Sequence, residues 1–69
     1  MKYYEGQTVF SLILHDLVTI VKFYYSLDYG YILTVKTNKG HILTHTEKDI
    51  NIVEFFNGNW WSTGRGDEV

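Results

Sequence analysis

A chain of 69 residues holds one small domain, which buries only about 60% of the surface its unfolded form exposes. Its 45% hydrophobic and 17% aromatic residues, with no low-complexity run, exclude a disordered segment. A net charge of −2 spread along the chain, and no cysteine, exclude a basic phosphate-binding stripe, a DNA-mimicking acidic surface, disulfides and thiolate zinc sites.

Met1-Lys2-Tyr3-Tyr4-Glu5-Gly6 leads into a polar turn and lacks the pattern of a secretory leader. The apolar stretch 9–21 is broken by His15-Asp16 and is too short to span a bilayer. A soluble cytoplasmic protein is expected. Gly6 and then Gln7-Thr8-Val9-Phe10 read as an opening turn and a first strand. Residues 17–25, "LVTIVKFYY", are the β-branched and aromatic population favoured on pleated surfaces. Leu27-Asp28-Tyr29-Gly30 marks a loop. "YILTVKT" (31–37) and "HILTHT" (41–46) flank Asn38-Lys39-Gly40, a three-residue hairpin connection in which Gly40 takes the left-handed conformation.

Glu47-Lys48-Asp49 makes a polar turn before a last strand over 50–56. Asn57-Gly58 is the strongest short-range hairpin signal in the chain. The small, polar and charged residues 62–69 read as a frayed, flexible tail after a domain spanning 1–61. An alternative remains for 11–25, where Phe10, Ile13, Leu14, Leu17, Val21 and Tyr24 also recur at helical spacing. A helix there, packed on an antiparallel sheet, would make the fold α+β. The run of β-branched and aromatic residues favours strands. The expected fold is mostly β: about five short antiparallel strands in a small barrel with an added C-terminal hairpin.

"EGQTVF", "LVTIVKF" and "YILTVKTNKGHILTHTEKDINIV" together resemble the small SH3-like barrels common in phage and mobile-element genomes. In that pattern a Gly-x-x-Val opening strand precedes a strand reading x-Val-x-x-Ile-Val, then a Gly-tipped hairpin and an acidic turn into the last strand. The resemblance covers residues 5–53; the aromatic hairpin lies beyond it. It implies a fold and a phage setting, and no activity, because the fold hosts many functions.

The candidate chemistry is sparse. His41 and His45 on one strand would lie about 13 Å apart, at roughly 3.3 Å per residue, too far for one metal ion. They read as surface histidines, or half-buried ones with a hydrogen-bond partner. His15-Asp16 reads as a polar loop rather than a base with its orienting carboxylate, and the spacing implicates no nucleophile. Glu47, Asp49 and Glu54 read as solvated, since an acid pair needs a deep cleft. Arg65-Gly66-Asp67 matches an integrin-binding tripeptide in a chain of the wrong kind for it. No catalytic residue, metal or cofactor is expected.

The aromatic residues stand above this background. Tyr3-Tyr4, Tyr24-Tyr25, Phe55-Phe56 and Trp60-Trp61 are four adjacent pairs, and neighbours on a strand point to opposite faces. One member of each pair is expected in the core and the other outside, with Trp61 the outward tryptophan. Phe55, Phe56, Trp60, Trp61, Tyr24 and Tyr25 are the candidate partner-binding residues. The expected role is a non-catalytic protein-binding module, in phage form a factor that inhibits or redirects a host enzyme such as a defence nuclease or a DNA-repair enzyme. A homodimer is a further possibility. A barrel that stacks single-stranded nucleic acid on its rings is the alternative, with the aromatics but without the basic groove.

Overall fold

A computed structural model describes residues 2–69. Six strands form one antiparallel sheet: β1 (Thr8–Ser11), β2 (Asp16–Ser26), β3 (Gly30–Lys36), β4 (Ile42–Thr46), β5 (Ile50–Phe56) and β6 (Asn59–Arg65). The order across the sheet is β4-β3-β2-β1-β5-β6, and the sheet curls into a half-barrel. The mostly-β expectation holds. The helical alternative for 11–25 is overturned: the segment is the end of β1, a tight turn with His15 at φ 55°, and most of β2. Among the described residues, no helix is long and apolar enough to cross a membrane.

β2 makes the curl possible. Its first half pairs with β1, from Thr19 opposite Thr8 to Asp16 opposite Ser11, and its second half pairs with β3. A bulge at Val21, between the Ile20–Val35 and Lys22–Thr34 pairs, sharpens the local twist and bends one strand into two sheet regions. Val9, Val18, Ile20, Leu33, Val35 and Ile50 line the concave side and are fully buried, with Phe23, Tyr31 and Ile52 packed against them.

The N-terminal segment plugs this concavity. Tyr3 is buried, with its ring edge-on to Tyr31 at 5.2 Å and tilted against Phe23 at 6.2 Å. Its hydroxyl donates to Glu47 Oε2 at 2.9 Å. Glu47 opens a 3-10 turn (Glu47–Asp49) and also accepts from Lys2 Nζ at 2.8 Å and from the Tyr31 N–H at 3.0 Å. Burial opposes the charge on Glu47, but those three donors outweigh it and hold the carboxyl below its ordinary range. Burial, and then the adjacent carboxylate, push the Tyr3 hydroxyl well above the usual tyrosine value.

A buried polar bond crosses the concavity as well. Ser11 Oγ and His45 Nε2 lie 2.7 Å apart, joining β1 to edge strand β4, which is three positions away in the sheet. Ser11 Oγ also accepts from the Leu14 N–H at 3.0 Å, which fixes the turn after β1.

Two expectations about the C-terminal end need correction. Residues 62–65 are not tail: they complete β6, with Arg65 opposite Asn51 and Gly64 opposite Ile52. Past the strand, the Gly66 N–H donates to the Ile50 carbonyl at 2.8 Å and Gly66 is buried. Small and polar residues read as unstructured, yet this edge position needs only main-chain partners, and β5 supplies them. The Arg65-Gly66-Asp67 stretch, already read as no integrin site, is internally engaged, since Arg65 Nε pairs with Asp67 Oδ1 at 2.6 Å. The second correction is that neither tryptophan is in the core.

Candidate functional site

The Asn57-Gly58 turn decides the register of the aromatic hairpin. Both residues have positive φ, 54° and 82°, as a two-residue type I′ connection requires. Phe56 therefore faces Asn59, Phe55 faces Trp60 and Glu54 faces Trp61. Phe55 and Trp60 share the convex, outer face and touch edge-on with centroids 5.1 Å apart. Phe56 and Trp61 lie on the opposite face, where the Trp61 indole N–H donates to the Phe56 carbonyl at 2.9 Å.

All four rings are exposed: Phe55 at 62%, Phe56 at 71%, Trp60 at 42% and Trp61 at 54%. The expectation that one Phe–Trp pair packs on the core is thus wrong, and the reason is strand length. β1 has only four residues and pairs with β5 only through Ile50, Asn51 and Ile52. Beyond Ile52 the hairpin runs on past the core, so both of its faces meet solvent. Of the four adjacent pairs, only Tyr3-Tyr4 divides as expected, with Tyr3 buried and Tyr4 outside.

The candidate residues fall into two groups. Tyr24 and Tyr25 lie at the far end of β2, paired with Ile32 and Tyr31 of β3, and both are exposed. No strand pairing joins them to the β5–β6 hairpin. What does join it is Tyr4, which with Gly6, Gln7, Thr8, Val53, Glu54, Phe55 and Trp60 lines a shallow groove. A second depression beside it is formed by Phe10, Leu17, Asn51, Val53, Trp60 and Ser62. Trp60 belongs to both.

Phe10 and Leu17 were missed because each is next to a buried valine, Val9 or Val18, and read as part of the same apolar strand. The signal was available: alternation places the neighbours of buried residues on the outer face, and apolar residues there are an excess that a one-sided core does not use. The outer face is also poor in charge. Glu54 is the single charged residue between Asp49 and Arg65.

The other candidates do not form a reactive site. His41 is exposed beside the turn while His45 is buried on Ser11. That serine–histidine contact joins residues 34 apart in sequence, so spacing gave no sign of it. Ser11 is fully buried and no substrate reaches it. Asp16 Oδ1 accepts from the Leu17 N–H at 2.8 Å, a local side-chain-to-backbone bond at the start of β2. Among the described residues, no three His, Asp or Glu side chains converge to hold a metal ion.

Comparison with protein-family models, with curated proteins and with solved structures finds no match to this chain.

Proposed function

We propose that this chain is a non-catalytic protein-binding module whose contact element is the β5–β6 hairpin. One observation carries the reading: four large rings, on both faces of a hairpin that runs past the core, are all held in solvent. Exposed tryptophan beside tyrosine and phenylalanine, with charge nearly absent, is the composition of an interface centre. A fold that needed these rings for itself would bury them. The groove along Tyr4, Phe55 and Trp60 adds a concave seat for a partner side chain.

In the phage setting that the sequence pattern evokes, the partner is a host enzyme that the module inhibits or redirects, such as a defence nuclease or a DNA-repair enzyme. Nucleic acid is the weaker reading, since neither depression around Trp60 is lined by a lysine or arginine. Affinity capture from a bacterial lysate at low and moderate salt tests the choice. Retention of a protein at both salt levels is expected. Nucleic acid that is captured at low salt and lost at moderate salt would overturn the reading.

A further inference from the structure

We infer that the open edge of β6 pairs with β6 of a second copy, antiparallel and about a two-fold axis at Trp61. The inference rests on the hairpin being a contact element, and it names one occupant of that element. Among the described residues β6 pairs with β5 alone, so its other side is an open edge. Natural sheets blunt such edges with charge, proline or cover. From Asn59 to Gly64 this edge has neither proline nor a charged residue.

The hydrogen-bonding register follows from the turn. A two-residue loop makes Phe56 and Asn59 a hydrogen-bonded pair, and ladder alternation then assigns Glu54 and Trp61 to the next one. Trp60 and Ser62 are the intervening positions, so their N–H and C=O groups point away from β5, into the open edge. Antiparallel pairing about Trp61 sets Trp60 opposite Ser62 of the second copy, and Ser62 opposite its Trp60. Both outward pairs are then satisfied at once. The bulge at Thr63, between the Ile52–Gly64 and Val53–Ser62 pairs, ends the regular edge and keeps the contact short.

This pairing explains why the rings occupy both faces. A partner docking on one face leaves the other face's rings in water, whereas a strand that continues the sheet gives rings on both faces a neighbour. Trp61 meets Trp61 of the second copy on the inner face. On the outer face, the two copies' Trp60 rings lie diagonally across the seam. No like charges meet along the paired stretch. At ring areas of roughly 150–250 Å² the Trp60 and Trp61 rings of the two copies together leave about 290–480 Å² exposed. With the edge main chain, that reaches the lower range of reversible interfaces, below about 1,200 Å² in total. A weak, concentration-dependent dimer results. Pairing of β6 with edge strand β4 would instead repeat head to tail, into a ring or an open chain.

The test is sedimentation over a wide concentration range together with amide exchange by NMR. The expected result is a monomer–dimer equilibrium in which the Trp60 and Ser62 amides gain protection with concentration. Trp61→Lys and Trp61→Glu, each alone, should abolish the dimer by opposing like charges at the axis. Mixed in equal amounts, they should restore it. The wild type remaining a monomer throughout, open-ended oligomers, or a dimer that survives both single variants would each overturn the pairing. These outcomes are separable from failure of the binding reading. A monomer that still loses a captured partner on Trp60→Ala refutes only the pairing.

Discussion

Two phenylalanines of the same size give the sharpest stability contrast in this molecule. Phe56 is 71% exposed on the hairpin, so folding removes only about 45–75 Å² of it from water, given roughly 150–250 Å² per ring. At about 25 cal/mol per Å² that is about 1–2 kcal/mol, and an extended-chain reference makes this an upper bound. Phe23 packs between Tyr3 and Tyr31, with centroids 6.2 and 6.0 Å away. Phe23 is partly buried, so its removal costs less than the roughly 3–5 kcal/mol of a fully enclosed phenylalanine, about 2–4 kcal/mol. Urea denaturation of Phe56→Ala and Phe23→Ala, followed by fluorescence and far-ultraviolet circular dichroism, measures both. Each kcal/mol corresponds to about 4–8 °C in melting temperature for a domain of this size. Phe56→Ala should therefore remain well folded, and Phe23→Ala should be severely destabilised. Equal losses would show that the hairpin rings serve the fold and would remove the argument for a contact surface.

Other consequences can be checked on the same footing. Gly66→Ala places a Cβ 2.5 Å from the Glu47 carbonyl oxygen, a backbone atom that cannot turn aside, so a loss of about 1–3 kcal/mol is expected in denaturant titration. Ser11→Ala removes the buried partner of His45 Nε2 and the part-buried acceptor of the Leu14 N–H, and should cost about 1–3 kcal/mol by thermal melting. Gly40 has φ 88°, so Gly40→Val should cost more than about 1 kcal/mol; an unchanged melting temperature would contradict the hairpin geometry. Stability should also fall at both ends of the pH scale. Glu47, with its carboxyl lowered, contributes fully above the ordinary glutamate range and loses that contribution as acid protonates it; Tyr3, with its hydroxyl raised, contributes up to about pH 10 and loses it above. Melting curves of the wild type against Tyr3→Phe separate the alkaline arm, which should flatten in the variant.

Elements whose signals are local were legible in the sequence. The last long strand was expected over 50–56 and spans Ile50–Phe56, because a polar turn and Asn57-Gly58 bound it on either side. The Asn38-Lys39-Gly40 connection was legible for the same reason: the Thr37 N–H donates to the His41 carbonyl at 2.9 Å and Gly40 has positive φ. What escaped depends on residues far apart. The bulge at Val21 is a matter of register between β2 and β3, and no single residue announces it. The Ser11–His45 bond needs the curl of the whole sheet. The far half of β6 was hidden because Ser62 and Gly64 have low strand character, and the partner that orders this stretch is β5. The hairpin residues were singled out, but their exposure on both faces was not, since alternation tells which side a ring takes and not where the core ends. That limit is set by the four-residue length of β1, a fact about a different strand.

The most direct test of the contact element is partner capture by a folded variant lacking the outer-face ring pair. Phe55→Ser/Trp60→Ser should keep the far-ultraviolet spectrum of the wild type, because Phe55 and Trp60 lie outside the buried core. Immobilised wild type and double variant are then exposed to the same bacterial lysate at moderate salt, and the bound proteins are compared by mass spectrometry. A protein retained by the wild type and lost by the folded double variant is the predicted result. The same protein retained equally by both would place the binding surface elsewhere and contradict the account.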